Sequence, residues 1–331
     1  MKKILLLQTG GTISMHLEKG ITELNPDKWS TVLYNEMPEL QQIAEITVQN
    51  VFFEDSSDMN QFHWNQLANI IDDLKDSFDG FVILHGTDTM AYTASALSFA
   101  LRNLQKPVIL TGSQVPMSNI RSDARRNLVN AVELATCELN EVAICFNDHL
   151  YRGNRSTKMS INDFDAFTSP NYPALAEIGI NINISQSANQ KSHDSYRFLP
   201  SFSDAVHLLK VYPGLNPEYL TQLNLSHIKA IIIEAYGIGN IPIKDKYSLL
   251  PFVERCLDHN CHVIINSQVA YDSVDLNVYE SGRILSKLGC LSAGEMTIEA
   301  TITKTMHLID LTNKTGDFNQ LFMKNIAGER N

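Results

Sequence analysis

The chain has 331 residues, 44% of them hydrophobic and 19% charged, which is typical of a globular protein and long enough for two domains. Its net charge of −11 argues against a nucleic-acid or anionic-membrane partner, because both are bound by clustered Lys and Arg. The first apolar run stops at Gln8, too short for a signal peptide or a membrane span, so we expect a cytoplasmic protein. The 5 cysteines lack zinc-ligand spacing and indicate free thiols.

The first predicted element is a buried strand that begins at Ile4 and ends in a tight turn at Gly10 and Gly11. Glycine permits unusual backbone angles and lets main-chain N–H groups approach a ligand closely. Thr12 is the first side chain beyond this turn, at the carboxyl end of the strand, where open α/β sheets bind ligands. A strand followed by a solvated loop is the alternative interpretation.

The next part of the chain alternates between apolar runs and amphipathic segments. Residues 17–38 are polar and aperiodic, which predicts a long loop with at most one short helix. The apolar runs predict strands over 46–53, 80–84, 107–110 and 141–146. The amphipathic segments predict helices over 60–77, 91–104 and 127–138. This alternation is typical of βαβ units, with a parallel sheet and helices on both faces.

The second half predicts a smaller domain of the same class. Residues 151–173 have the character of a loop, and the polar segment 185–204 that of an interdomain linker. Beyond it, strands are predicted over 206–212, 230–235 and 262–266, and helices over 246–258 and 296–307. The predicted fold is therefore α/β: a larger N-terminal, doubly wound, mainly parallel domain (1–184), the linker, and a smaller C-terminal α/β domain (205–331).

Polar side chains recur where the predicted N-terminal strands end, and a lysine joins them from a later turn. These residues are Thr12; Ser56, Ser57 and Asp58; Thr87 and Asp88; Ser113 and Gln114; and Lys158. Because parallel strands open their carboxyl ends on one edge, we expect these side chains to converge. His85, at the end of a buried strand, is interpreted as a hydrogen-bonded structural residue.

The converging residues fit nucleophilic chemistry on an amide. A hydroxyl attacks a carbonyl only if a base removes its proton, and Thr87, Lys158 and Asp88 would supply nucleophile, base and orienting group. The Gly10–Gly11 amides beside Thr12 would form an oxyanion hole. A small zwitterion would fit the site, with Asp88 binding an ammonium and Ser56 a carboxylate.

With these motifs in view, the sequence resembles the bacterial-type L-asparaginase family, and more closely its cytoplasmic type I branch. Residues 9–13 (TGGTI) and 84–90 (LHGTDTM) are similar to the two threonine signatures of that family. Weaker matches extend the resemblance over almost the whole chain, at 55–59, 111–114, 151–155, 236–240 and 296–304. The resemblance implies hydrolysis of L-asparagine to L-aspartate and ammonia, with neither metal nor cofactor, in a homodimer or homotetramer.

The resemblance also implies a role for each candidate residue. Thr12 would be the nucleophile that forms an acyl-enzyme, and Thr87 with Lys158 and Asp88 the second, proton-handling group. Ser56 would bind the substrate α-carboxylate, and Asp88 the α-ammonium with help from the loop around Ser57. Gly11 and Ser113 complete the predicted substrate-binding residues.

One position departs from the family pattern. The family places a tyrosine in the loop after the first signature, whereas Ile21 stands at that register and the next tyrosine is Tyr34. The turn at 267–272 also diverges, so no effector site is assumed there. Two other functions stay open: a mixed glutaminase–asparaginase, and a non-catalytic amino-acid-binding protein. A dinucleotide site is disfavoured because Gly10 and Gly11 lack the G-x-G-x-x-G spacing.

Overall fold

The computed structural model describes residues 1–18, 21–24, 33, 36–189, 194–315 and 317–331. These residues divide into two compact units, Met1–Pro200 and Ser201–Asn331. The predicted linker, 185–204, spans this division, and its assignment as a linker stays a prediction. Within the described ranges, no helix is long and apolar enough to cross a membrane.

The strands of the first unit are β1 (Lys3–Gly10), β2 (Met15–Glu18), β3 (Ile21–Leu24), β4 (Glu45–Glu54), β5 (Gly80–Leu84), β6 (Leu101–Arg102), β7 (Val108–Thr111), β8 (Val142–Phe146), β9 (His149–Arg152), β10 (Thr157–Lys158), β11 (Phe167–Thr168), β12 (Ala176–Ile178), β13 (Ile182–Ile184) and β14 (Arg197–Phe198). Eight of them form a mixed sheet in the order β13-β12-β9-β8-β7-β5-β1-β4. Strands β4, β1, β5, β7 and β8 run parallel, and β9, β12 and β13 add antiparallel pairs at one end.

Helices cover both faces of this sheet. They are α1 (Leu40–Ile43), α2 (Gln61–Leu74), α3 (Met90–Ala100) and α4 (Ala124–Ala135), with short 3-10 turns at Thr12–Ser14, Ser56–Asp58, Gly153–Arg155 and Gln186–Asn189. On one face, Leu6 and Val82 pack with Leu128 and Val132 of α4 in a buried cluster. The alternating residues point to the opposite face and are also buried, as Phe81 is. Burial on both faces explains why these strands are continuously apolar.

The second unit repeats this layered design with four parallel strands. Their order is β15 (Val206–Lys210), β16 (Ala230–Ala235), β17 (His262–Ser267) and β18 (Leu291–Ser292). Helices α5 (Leu250–Asp258) and α6 (Glu280–Leu288) pack on one face, and α7 (Ile298–Thr315) and α8 (Phe318–Met323) pack on the other. Further 3-10 turns lie at Pro217–Gln222 and Asp245–Tyr247. The predicted α/β fold class is confirmed, with a larger N-terminal parallel-dominated sheet and a smaller C-terminal one.

Several predicted elements need correction. The prediction of a loop from residue 17 misses an antiparallel hairpin formed by β2 and β3, whose four-residue strands pair with each other. Residues 19, 20, 25–32, 34 and 35 of that loop lie outside the described residues. The predicted loop over 151–173 contains β10 and β11, and α6 was not predicted at all. In α6, Gly282 lies so close to the Leu276 backbone that a Cβ would be 2.6 Å from the Leu276 oxygen.

The second unit also contains a fully buried ion pair. Lys304 of α7 and Glu329 are both 0% exposed, and the lysine Nζ contacts a glutamate oxygen. Lys304 Nζ donates further hydrogen bonds to the oxygens of Phe322 (2.8 Å) and Lys324 (2.6 Å). Glu329 accepts from the backbone N–H groups of Ile326 and Ala327. Both charges are thus compensated, as burial requires.

Candidate active site

Glycines bring three strand-end loops of the first unit into contact. Gly10 and Gly11 have φ values of +112° and +79°, which side chains other than glycine rarely adopt. A Cβ on Gly10 would lie 2.4 Å from the Glu54 oxygen, and one on Gly11 would lie 2.4 Å from the Gly86 nitrogen. A Cβ on Gly86 would in turn lie 2.6 Å from Ser56 Oγ. The loops after β1, β4 and β5 can therefore meet only because these positions lack side chains.

A cavity of about 320 Å³ opens where these loops meet. It is lined by Gly11, Thr12, Asp55, Ser56, Gly86, Thr87, Asp88, Gln114, Lys158 and Ile161. The predicted convergence of Thr12, Thr87, Asp88 and Lys158 at one sheet edge is thus observed as geometry. Gly11 and Ser56 of the predicted binding residues line the same cavity.

Lys158 connects the hydroxyl of Thr87 to the carboxylate of Asp88. Its Nζ lies 2.8 Å from Thr87 Oγ1 and 2.5 Å from Asp88 Oδ1. The lysine side chain is 15% exposed and the Asp88 side chain 68% exposed. The ammonium is therefore held in a mostly desolvated position, while much of the carboxylate still faces solvent.

Ser56 is held in place by its own turn and by the loop after β5. Asp55 caps the turn Ser56–Asp58 by accepting a 2.8 Å hydrogen bond from the Ser57 N–H. Thr89 Oγ1 donates to the Ser56 carbonyl oxygen at 2.7 Å. Ser56 is buried, whereas Ser57 is exposed and does not line the cavity.

The loop after β7 contributes Gln114 to the cavity. Thr87 Oγ1 donates to Gln114 Oε1 at 3.3 Å, and Gln114 Nε2 donates to the carbonyl oxygens of Ser160 (3.3 Å) and Asp163 (3.0 Å). The neighbouring Ser113 is buried, and its hydroxyl donates to the Val115 oxygen at 2.8 Å. Of these two residues, Gln114 is the one that lines the cavity.

The buried carboxylate of Asp123 fixes the backbone of this loop. It accepts hydrogen bonds from the N–H groups of Gln114 (3.0 Å) and Val115 (3.2 Å). Asn127 Nδ2 donates to the same carboxylate at 3.0 Å and to the Gly112 oxygen at 2.9 Å. Asp123 and Asn127 lie at the start of α4, so this helix orients Gln114 through its backbone.

His85 has the environment of a structural residue. Its Nδ1 lies 2.7 Å from the Gly86 oxygen, which can only accept, so Nδ1 carries the hydrogen. Its Nε2 then accepts from Thr93 Oγ1 at 2.9 Å, and Thr93 accepts from Trp64 Nε1 at 3.1 Å. Burial lowers the pKa of His85 to about 4, which keeps the ring neutral. This chain of hydrogen bonds anchors the peptide that precedes Thr87.

Four lining residues were missing from the predicted site: Asp55, Gly86, Gln114 and Ile161. Gln114 stood in a strand-end loop already singled out, but sequence alone does not tell which of two neighbours faces a cavity. Ile161 follows the two-residue strand β10, where no periodicity exists. Ile21 is the first residue of β3, and Tyr34 lies outside the described residues.

The arrangement can support acyl transfer on a small polar molecule. Thr12 and Thr87 offer two hydroxyls, and Lys158 offers an ammonium held next to one of them. Asp88 and Ser56 offer partners for an ammonium and a carboxylate. Within the part of the chain that the structure describes, no group of three or more His, Cys, Asp or Glu could hold a metal ion.

Comparison with known proteins extends over the whole chain. Family models match residues 3–190 (asparaginase, N-terminal) and 205–322 (glutaminase/asparaginase C-terminal domain). The chain is 37% identical to L-asparaginase 1 of Escherichia coli strain K12, over 99% of this chain and 98% of that protein. It is 33% identical to one component of the glutamyl-tRNA(Gln) amidotransferase of Pyrococcus abyssi, over 99% of this chain and 77% of that protein. The solved thermostable L-asparaginase from Thermococcus kodakarensis superposes with a TM-score of 0.89 at 33% identity, covering 99% of both chains.

Proposed function

Because the chain belongs to the asparaginase family and is an amidohydrolase, we propose that it hydrolyses L-asparagine to L-aspartate and ammonia. The observation that carries this proposal is the position of the Lys158 side chain. Lys158 Nζ lies within hydrogen-bond distance of both Thr87 Oγ1 and Asp88 Oδ1, in the cavity that Thr12 also lines. A hydroxyl, an amine and a carboxylate in series form the arrangement that activated nucleophiles use.

Thr12 is the proposed nucleophile. Its oxygen attacks the side-chain amide carbon, a C–O bond forms, and the carbonyl oxygen takes the negative charge. Main-chain N–H groups at the Gly10–Gly11 turn stabilise that charge as an oxyanion hole. The C–N bond then breaks, the nitrogen takes up the proton that Thr12 gave up and leaves as ammonia, and an aspartyl ester remains on Thr12. Because Ile21 stands at the register of the family tyrosine and cannot carry a proton, a water molecule or a tyrosine from elsewhere relays the proton from Thr12 to the nitrogen.

Thr87, Lys158 and Asp88 form the second proposed group. Lys158 exchanges a proton with the Thr87 hydroxyl, and the Asp88 carboxylate stabilises the ammonium form of the lysine. With the lysine 15% exposed, this exchange proceeds with little competition from solvent. The group activates the water that hydrolyses the aspartyl ester and releases L-aspartate.

The proposed substrate contacts follow the charges around the cavity. Ser56 binds the α-carboxylate, with the N–H at Gly11 nearby, and Asp88 binds the α-ammonium. Asp88 Oδ1 contacts Lys158, so Oδ2 is the oxygen assigned to the substrate. Ser57 and Ser113 contribute through their loops, because the Ser57 N–H binds Asp55 and the Ser113 hydroxyl binds Val115.

Two further properties belong to this proposal. A homodimer or homotetramer is supported by the exposed apolar side chains of Met159, Ile161 and Phe164 beside the cavity, which suit contact with a second copy of this chain. A cytoplasmic location is supported by the 5 cysteines, all free thiols.

The relatives favour one alternative strongly enough to test, a mixed glutaminase–asparaginase. The C-terminal family model is named for both amides, and glutamine is longer than asparagine by one methylene. A pocket discriminates such a difference by only about 1–3 kcal/mol. The test is ammonia release from both amides over a wide concentration range. Higher kcat/KM for asparagine supports the proposal, and equal values support the mixed enzyme.

The nucleophile is tested by Thr12→Val, which removes the hydroxyl and keeps the shape of the side chain. We expect no ammonia release above background, while L-aspartate binding measured by calorimetry persists. The matched control is Thr47→Val on the exposed side of β4, which should leave turnover unchanged. Near-normal turnover by Thr12→Val would overturn the assignment. A wild-type protein that binds aspartate but releases no ammonia would favour the non-catalytic binding protein.

A further inference from the structure

Gln114 is an uncharged residue of the cavity lining whose side chain contacts Thr87. Its carboxamide has an acceptor end and a donor end, and the surroundings decide which faces Thr87. The donor end is fixed by the carbonyl oxygens of Ser160 and Asp163, at 3.3 and 3.0 Å from Nε2, because carbonyl oxygens only accept. Oε1 therefore faces the Thr87 hydroxyl, 3.3 Å away.

Both ends of this contact belong to preformed structure. Ser160 Oγ accepts hydrogen bonds from the N–H groups of Asn162 (3.3 Å) and Asp163 (3.0 Å), which shapes the loop after β10. The Met159 N–H donates to the Ala166 oxygen at 2.8 Å and closes the same loop. The backbone of Gln114 is held by the Asp123 carboxylate. The orientation of the carboxamide is thus set before any ligand enters.

The consequence for Thr87 follows from the geometry of a hydroxyl oxygen, which has one hydrogen and two acceptor lone pairs. Before the proton exchange with Thr87, the Lys158 ammonium donates to one lone pair at 2.8 Å, and the Thr87 hydrogen is directed to Gln114 Oε1; only during the exchange does this hydrogen turn to the lysine nitrogen. One lone pair remains. Thr87 lines the cavity, so this lone pair is available to a water molecule or substrate group there.

We propose that Gln114 is a positioning residue that holds the Thr87 hydroxyl hydrogen away from the cavity, so that Thr87 presents a lone pair to the attacking water. This inference rests on the proposed amide hydrolysis and adds a residue to it. Gln114 acts through Thr87 and through the carbonyls of Ser160 and Asp163. It therefore affects turnover more than substrate binding.

Two substitutions separate this role from simple packing. Gln114→Met keeps the length and removes both hydrogen-bonding ends, and we expect kcat to fall by about tenfold or more, as for a lost hydrogen bond in the transition state, with little change in KM. Gln114→Glu reproduces the wild-type hydrogen bonds only when its carboxyl is protonated. The carboxyl O–H then donates to the backbone carbonyls of Ser160 and Asp163, and the carboxyl C=O accepts from Thr87.

The kcat of Gln114→Glu relative to wild type should therefore fall as pH rises through the pKa of the new carboxyl. The described charged groups that line the cavity with position 114 or bond its backbone are the ammonium of Lys158 and the carboxylates of Asp55, Asp88 and Asp123. Because these charges act in opposite directions on the new carboxyl, the pH at which the ratio falls is read from the profile. Gln114→Met should show no such dependence relative to wild type. Thermal unfolding of each variant checks its folding.

Each outcome decides the inference. Retention by Gln114→Met of about half or more of wild-type kcat overturns it, since a lost positioning bond costs about tenfold. A pH profile of kcat for Gln114→Glu that runs parallel to that of wild type overturns it as well. If Gln114→Met does not fold, this pH profile alone tests the inference. The inference is supported if Gln114→Met lowers kcat and if the ratio of the Gln114→Glu kcat to the wild-type kcat falls as pH rises. Absence of ammonia release by the wild type overturns instead the proposed function.

Discussion

The sharpest test of the cavity is removal of the Lys158 ammonium by Lys158→Met, which keeps most of the aliphatic stem. The lysine makes two charge-assisted contacts, at 2.8 Å to Thr87 and 2.5 Å to Asp88. Hydrogen bonds to charged groups contribute about 1.5–3 kcal/mol each. The Asp88 side chain is 68% exposed, so solvent screens the second contact and it counts for less. A total of about 2–4 kcal/mol corresponds to a loss in kcat of about 30-fold to 10³-fold.

The assay is ammonia release from asparagine across the pH range, with Lys287→Met on an exposed position of α6 as the matched control. If Lys158 exchanges protons with Thr87, kcat falls at every pH. Lys158→Arg should fail as well, because a guanidinium keeps the charge but does not release its proton. A Lys158→Met variant with a shifted pH optimum and undiminished maximal rate would refute the role, as would an active Lys158→Arg. Lys158 would then be an electrostatic neighbour of the site.

Two further predictions concern stability. His85 has a pKa of about 4 in the folded protein and 6.5 in the unfolded chain, so the unfolded chain takes up the proton first as pH falls. Between about pH 8 and pH 5, the free energy of unfolding in urea should therefore fall by about 2 kcal/mol more for wild type than for His85→Gln. Equal losses would contradict the buried neutral ring. Glu329→Leu leaves the buried Lys304 ammonium without its carboxylate, so it should lower the free energy of unfolding of the second unit in denaturant by about 3–5 kcal/mol. The control Glu254→Leu, on an exposed position of α5, should have little effect. Lys304→Met combined with Glu329→Leu should be less destabilised than Glu329→Leu alone, and a larger loss in the double variant would contradict this account.

The parts of the fold that sequence predicts well are those in which a local pattern has a local cause. The strand over 80–84 was predicted with the bounds that the structure has, because residues buried on both faces form an uninterrupted apolar run between polar segments. The hairpin of β2 and β3 was not predicted, because strands of four residues are too short to show a clear alternation in the sequence.

In the candidate site, too, the residues with a local sequence signal were predicted and those positioned by distant residues were not. Thr12, Thr87 and Asp88 could be singled out because each lies within four residues of the end of a recognisable strand. Gln114 could not be preferred to Ser113, since its direction is set by Asp123 and by the loop at 159–165, which lie elsewhere in the sequence. The pairing of Lys304 with Glu329 could not be predicted either. Helical periodicity relates residues within one helix, whereas Glu329 lies beyond the helix that follows α7.

The parallel arrangement of β4, β1, β5 and β7 also has a consequence for how this protein folds. Each neighbouring pair is joined by a crossover, so every contact in the central sheet closes a long loop before it gains any pairing. Such topologies have high contact order and fold slowly. Because the cavity draws its walls from residues between Gly11 and Ile161, no fragment of the sheet contains it. Recovery of activity during refolding should therefore be the last event in the first unit, and any ligand in the cavity stabilises that unit as a whole.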